Sequence, residues 1–234
     1  MKRLLIILGM FVFGCNSNNN EPVKIESPTN VNENELAKIN PAPKEEENEI
    51  SPKKEFQTGD LIFHTSTSDQ SLAIQLASNS KYSHVGIIYQ EGGDTLVLEA
   101  IQPVQITPIK TFIDRGEHKA YVVKRLKTSE ETLTPEGILK MKEIGKKYLG
   151  KNYDKRFEWS DDKIYCSELV WKIYKQAFDI KIGELEQIKD FDLSDPIVKA
   201  KAKERYGNNI PLEELIITPD RMFQSDKLVT VLEK

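Results

Sequence analysis

Cys166 is the residue of this chain best suited to nucleophilic chemistry, and its setting decides whether that chemistry is open to it. It stands in Asp162-Lys163-Ile164-Tyr165-Cys166-Ser167-Glu168-Leu169-Val170-Trp171, where an irregular polar segment gives way to an amphipathic pattern. A thiol attacks as its thiolate, and the free N–H groups at a helix start favour that charge. Taken alone, Cys166 reads more readily as a small apolar filler on a core helix, because free Cys is among the most buried residue types. A nucleophile also needs a base. His84 heads the run His84-Val85-Gly86-Ile87-Ile88-Tyr89, and Glu99 closes Thr95-Leu96-Val97-Leu98-Glu99-Ala100. A carboxylate that accepts from one imidazole nitrogen leaves the other to act as base.

The elements that must position these groups are visible in the hydrophobic pattern. Leu169, Val170, Ile173, Tyr174, Ala177 and Phe178 recur at three- and four-residue spacing, which predicts a helix with one buried face starting at or near Cys166. Asp161 and Asp162 stand where its caps belong. The β-branched run at His84 and the run ending at Glu99 flank Gln90-Glu91-Gly92-Gly93-Asp94, which predicts a hairpin. If Gly92-Gly93 is a two-residue loop, Glu91 pairs with Asp94 and Gly86 with Glu99. His84 and Glu99 then become diagonal neighbours on one face, and a one-residue slip would separate them. Around this centre, Gly59-Asp60-Leu61-Ile62-Phe63 reads as a turn and strand, and Ser71 to Ser78 as a short helix. Ile106 to Ile113 reads as a strand end leading into a helical turn, and Ala120 to Leu126 as a strand. Thr134-Pro135-Glu136 opens a helix with Ile138, Leu139, Met141, Ile144 and Tyr148 on its apolar face. Ile197 to Tyr206 reads as a charged surface helix, Thr218-Pro219 caps a short helix, and Leu228 to Leu232 closes as a strand.

The first residues read as an address. Lys2 and Arg3 precede an apolar run, Leu4 to Phe13, that is too short to span a bilayer as a helix and suits a signal peptide. Val12-Phe13-Gly14-Cys15 resembles a bacterial lipobox, which implies cleavage after residue 14 and lipid attachment at Cys15, an anchor that holds the chain to a membrane without spanning it. Residues 15–55, rich in Asn, Pro, Glu and Lys, cannot bury enough apolar area to offset their ordering entropy and read as a flexible linker. The folded domain is expected over 56–234. With Cys15 lipidated, Cys166 has no intramolecular thiol partner among the two cysteines of the chain. A lone thiol in an exported protein is tolerated when buried or kept for its chemistry. The net charge of −4 and the lack of a basic patch point away from nucleic acid. His64 and His118 have no partners at ligand spacing, so no metal site is indicated.

Gly59-Asp60-Leu61-Ile62-Phe63, Ser83-His84-Val85-Gly86-Ile87, Leu98-Glu99-Ala100 and Tyr165-Cys166-Ser167-Glu168-Leu169-Val170, in that order, resemble the NlpC/P60 superfamily of papain-like cysteine hydrolases. They are similar to its circularly permuted branch, the YiiX/YebB-like (YaeF/YiiX) amidases, in which the Cys comes last. The resemblance implies an α+β, circularly permuted papain-like fold with an antiparallel sheet packed against the nucleophile helix. It implies Cys166 as nucleophile, His84 as general base and Glu99 as the group orienting His84. Tyr153 resembles the Tyr that unpermuted relatives offer to the oxyanion site, and it reads equally well as a packing aromatic. The implied reaction is amide hydrolysis through an acyl-thioester, without metal or cofactor, and the implied substrates are cell-wall (peptidoglycan) peptides. Two rivals remain: a thiol-dependent lipid acyl hydrolase or acyltransferase, and a non-catalytic binding lipoprotein. The expected place is the bacterial cell envelope, membrane-anchored and facing the periplasm. A narrow polar groove beside Cys166 would favour peptide, and a wide apolar one acyl chains.

Overall fold

The computed structural model describes residues 56–234. The signal peptide, Cys15 and the linker expected over 15–55 lie outside the described residues. In chain order the elements begin with β1 (Leu61–His64), α1 (Asp69–Ser78), β2 (His84–Glu91), β3 (Asp94–Glu99), β4 (Gln105–Pro108), α2 (Ile109–Asp114) and β5 (Val122–Leu126). There follow α3 (Ser129–Thr132), α4 (Pro135–Lys146), β6 (Asn152–Tyr153), β7 (Lys163–Ile164), α5 (Cys166–Phe178), β8 (Glu186–Gln187), α6 (Pro196–Tyr206), β9 (Leu215–Ile216), α7 (Pro219–Phe223) and β10 (Leu228–Glu233). The fold is α+β, built on a six-stranded sheet of order β10-β5-β1-β2-β3-β4 with every neighbour antiparallel.

Alternation along the central strands splits the core in two. Leu61, Phe63, Val85, Ile87, Tyr89 and Leu98 face α4 and α5, where Met141, Ile144, Leu169, Val170, Ile173 and Tyr174 meet them. The intervening Ile62, Ile88, Val97 and Val123 point the other way, onto Phe112 of α2 and Tyr121. Burying each such large side chain stabilises by roughly 1.5–3 kcal/mol, so α5 is fixed against β2 by its own apolar face. The helix starts are written in the sequence: Thr134-Pro135, Asp195-Pro196 and Thr218-Pro219 each put a capping oxygen on a backbone N–H and Pro in the first turn.

Two residues near the hairpin tighten the frame. Asp60, fully buried, takes a two-pronged ion pair from Arg125, with Nε–Oδ1 at 2.7 Å and the second nitrogen to Oδ2 at 2.8 Å, locking the start of β1 to β5. A Cβ on Gly86 would lie 2.4 Å from Val97 Cγ1, so glycine there lets β2 and β3 close up two residues from His84.

Two sequence expectations are corrected. Asp161 and Asp162 do not cap α5: Tyr165 is its N-cap and makes no side-chain cap bond, and Asp161 instead accepts from Lys172 Nζ at 2.8 Å. Leu139, expected in the core, is 64% exposed because α4 turns Met141 and Ile144 to the sheet. α6 is the charged surface helix expected, and its one buried side chain, Val198, lies against a cavity.

Candidate active site

The hairpin register is the one a two-residue Gly92-Gly93 loop predicts, with Glu91 opposite Asp94 and Ile87 opposite Leu98. Both glycines have positive φ, +60° and +92°, as a tight turn requires. The strand ends thereby meet, and His84 Nε2 lies 2.7 Å from Glu99 Oε2. With Nε2 taken, Nδ1 is the nitrogen left for Cys166, whose sulfur hydrogen-bonds the ring. Phe112 stacks on the imidazole at 5.5 Å between ring centroids and fixes its plane. Cys166 is the first residue of α5 and 2% exposed. Its sulfur also meets the backbone N–H groups of Val85 and Ser167.

Burial alone would neutralise all three groups, and the pairing overrides it. Burial pulls the His84 imidazole down, but the adjacent Cys166 charge and the hydrogen bonds to Cys166 and Glu99 raise it to about 9. Burial pushes the Cys166 thiol up, yet the His84 charge and hydrogen bond bring it below the ordinary thiol value. Both shifts run in the direction of a thiolate–imidazolium pair. Glu99, fully buried, is held at about 2 against its own desolvation by His84, by a hydrogen bond from Thr107 and by the nearby Arg115 charge. Arg115 donates to Glu99 Oε1.

Tyr153 lies with this group. Its hydroxyl accepts from Gln70 Nε2 at 2.9 Å, which leaves the phenolic hydrogen to donate, and burial together with the Cys166 charge raises its pKa well above the ordinary value. The short parallel pair β6–β7 sets Tyr153 opposite Ile164, two residues before Cys166. The structure thus brings Cys166, His84, Glu99 and Tyr153 together. Sequence reasoning missed Arg115, Thr107 and Gln70. Thr107 was within reach, since β4 pairs Gln105 with Glu99 and puts Thr107 two residues along on the same face. It also missed that His64 stands opposite His84, with ring centroids 5.1 Å apart. Burial, then the His84 charge, lowers His64 to about 3, so it sits neutral beside the pair.

Two spaces open from this centre. The Cys166 side is a cavity of about 100 Å³, walled by Ala73, Ala77, Phe157, Val198, Ile217 and neighbours, with almost wholly apolar surface. Two cations stand in its wall: Lys201 is paired with Glu204 at 2.7 Å, and Arg205 lies over the Phe157 ring at 4.7 Å. The His84 side is a cleft of about 170 Å³ lined by Ser66, Ser68, Gln70, Ser71, Ser83 and Tyr153.

A buried thiol at a helix start, paired across a sheet edge with an imidazole and a carboxylate, is the arrangement of papain-like enzymes. A sequence model of the permuted papain-like amidase enzymes, the YaeF/YiiX C92 family, matches residues 55–232, and the chain belongs to that family. It is 48% identical over 178 residues to the uncharacterized protein YiiX of Escherichia coli K12, covering 76% of this chain and 87% of that one. It is similar to the crystal structure of metalloprotein YiiX from Escherichia coli O157:H7, with TM-score 0.73 and 48% identity over 76% of this chain and 97% of that one.

Proposed function

We propose that this protein is a cysteine hydrolase that cleaves an amide whose acyl part is an apolar chain. The observation that carries this reading is the apolar cavity with Cys166 in its wall. Peptidoglycan peptides bear charged groups that such a lining would strip of water, with only Lys201 and Arg205 in its wall to answer a carboxylate. An acyl chain gains from the same lining about 0.8 kcal/mol for each CH₂ buried.

In the proposed reaction the Cys166 thiolate attacks the carbonyl carbon and the C–S bond forms. The negative charge moves to the carbonyl oxygen, where the Cys166 backbone N–H and the Tyr153 hydroxyl are the donors. The intermediate collapses, the C–N bond breaks, and the His84 imidazolium gives its proton to the departing nitrogen. His84, now neutral, takes a proton from water as that water attacks the thioester, and the acid leaves with the thiolate restored. Glu99 holds the ring and balances its charge, and Arg115 and Thr107 hold Glu99.

The YiiX relative of known structure is called a metalloprotein. Among the described residues of this chain no group of three or more His, Cys, Asp or Glu side chains is disposed to hold a metal ion. His84 Nε2 and Glu99 are also committed to each other. The donor set does not fit a metal, and no step is drawn through one. The N-terminal sequence supports a lipid anchor at Cys15 and a place at the bacterial envelope, where acylated molecules are at hand.

The test is an acyl-enzyme trap. Full-length protein mixed with p-nitrophenyl hexadecanoate, whose leaving group needs no recognition, and quenched in acid should carry a hexadecanoyl mass on the Cys166 peptide. Protein that gains no such mass, yet releases peptide from cell-wall fragments, would reject the acyl reading and restore the wall-peptide one.

A further inference from the structure

The Cys166 cavity accounts for half of a substrate. The bond to be broken sits between the thiolate and the imidazolium, because the departing nitrogen must take its proton from His84. Whatever leaves therefore lies on the His84 side, in the cleft lined by Ser66, Ser68, Gln70, Ser71, Ser83, Ile101 and Tyr153. Ile74 lines both spaces, so they adjoin at the reacting pair.

Apart from His84 itself, this cleft has no Asp, Glu, Lys or Arg in its lining. It does have hydrogen-bonding capacity left over. Ser83 Oγ, nearly buried, accepts from the Ser66 backbone N–H at 2.9 Å and from the Ser71 hydroxyl. Its own hydrogen has no acceptor among the described residues. Ser71 Oγ in turn accepts from Gln75 Nε2 at 3.0 Å, so the chain Gln75–Ser71–Ser83 runs one way and ends in a donor. Gln70 gives an amide hydrogen to Tyr153, and its carbonyl Oε1 is left without a donor among the described residues. The cleft thus offers a hydroxyl donor and an amide acceptor, and its one charge, the His84 imidazolium, is already matched by Cys166 and Glu99.

We propose that the His84-side cleft is the leaving-group site and selects a small uncharged amine bearing a hydroxyl or amide, against charged headgroups. This rests on the acyl-hydrolase reading and completes the substrate class as an N-acylated neutral polar amine. An ammonium there would meet the His84 imidazolium as a like charge, and a carboxylate would find that imidazolium already paired with Cys166 and Glu99, so neither regains what it loses in water.

The experiment compares three amides with the same chain: hexadecanoyl ethanolamine, hexadecanoyl glycine and hexadecanoyl ethylenediamine, which at neutral pH end in a hydroxyl, a carboxylate and an ammonium. Full-length protein should show kcat/KM roughly tenfold higher for the ethanolamide than for either charged amide. The diagnostic variant is Ser68→Asp. Ser68 is the exposed N-cap of α1 and accepts from the Ser71 backbone N–H, a task Asp does equally well. A carboxylate at this wall should raise the ethylenediamine amide relative to the ethanolamide by roughly three- to tenfold and lower the glycine amide by a similar factor. A merely structural change would scale all three alike.

Equal rates on the three amides, or a charged amide ahead, would overturn the assignment. So would an unchanged ranking in Ser68→Asp, or acylation by p-nitrophenyl hexadecanoate without cleavage of any amide. If the nitrophenyl ester also leaves Cys166 unmodified, it is the acyl reading beneath that fails.

Discussion

The cavity beside Cys166 and the cleft beside His84 share Ile74 as a wall and little else. The cavity draws its lining from places far apart in the chain: α1, Phe157, the segment from Ile188 to Leu193, α6 and the stretch from Ile216 to Pro219. Most of the cleft comes from one continuous piece, Ser66 to His84, closed by Ala100, Ile101 and Tyr153. One is apolar and roofed by a helix, and the other is hydroxyl-rich and built on a helix start. The contrast follows from the chemistry proposed for the pair between them. An acyl chain is gripped by area without direction, whereas a polar leaving group must be met by placed donors and acceptors. Apart from α1, which borders both, separate segments build the two sides, so substitutions outside α1 can alter acyl preference and leaving-group preference independently. The reacting residues are common to both.

The largest expected effects lie at the junction. Cys166→Ala should lower kcat on any acyl substrate by about 10⁴-fold or more while leaving thermal unfolding near wild type, because one buried sulfur lost beside a helix start creates little cavity. His84→Ala should come close to that. Glu99→Gln should cost on the order of ten- to a thousand-fold, because the amide still holds the ring but no longer balances its charge, and adding it to His84→Ala should cost little more. Steady-state rates on long- and short-chain esters check this. Loss on one chain length alone would assign these residues to substrate fit and not to the bond-breaking step.

A smaller effect should separate the two sides. Ala202 lies in α6 and lines the cavity without touching the cleft. Ala202→Phe puts a ring where the acyl chain is proposed to lie. It should lower the ratio of kcat/KM for hexadecanoyl over butanoyl esters by roughly ten- to a hundredfold, the cost of excluding several methylenes at about 0.8 kcal/mol each. The preference among leaving groups should hold. A ratio that stays at the wild-type value would mean that the cavity is not the acyl site.

Legibility in the sequence divides along the same line. The hairpin carrying His84 and Glu99 and the helix headed by Cys166 were readable because each is a local pattern: period-two alternation, a Gly-Gly loop and a 3.6-residue stripe. Their meeting needed only the register, which the loop fixes. Tyr153 could be placed only by likeness to relatives, because β6 and β7 are two residues each and pair in parallel across a loop. Arg115 was hidden for a related reason. It follows α2, 16 residues from Glu99, and nothing local distinguishes an arginine that reaches a buried carboxylate from one in solvent. Four of the eleven residues of α6 are Lys or Arg, which marks it as the surface helix it is, but composition does not reveal that its Val198 and Ala202 face borders an apolar space. Cap residues at Asp161 and Asp162 were a sound local guess, overridden when Lys172 reached Asp161.

The smallest effect expected is on pH dependence, and it tests whether the junction works as one charged unit. Activity needs Cys166 as thiolate and His84 as imidazolium. The first condition is met above the lowered Cys166 pKa, and the second holds until His84 loses its proton at about 9. The kcat/KM profile should therefore rise through a Cys166 pKa set below the ordinary thiol value and fall above about pH 9. The same shifts act on stability with opposite signs. His84, raised from an ordinary value of about 6.5, stabilises the fold fully below that value, and the contribution fades as pH rises towards about 9. Cys166, lowered, stabilises the fold above its ordinary value, and that contribution fades as pH falls through its folded one. Arg115 enters through Glu99: its cation offsets part of the carboxylate charge that His84 feels. Arg115→Gln should leave Glu99 more strongly negative towards the ring and move the alkaline limb up, by roughly half a unit to one unit, since the guanidinium is partly solvated and its field screened. The rate at neutrality should change only a few-fold. An alkaline limb that moves down, or that stays in place while the rate collapses, would mean that Arg115 holds Glu99 in position and has no part in setting the charge of the pair.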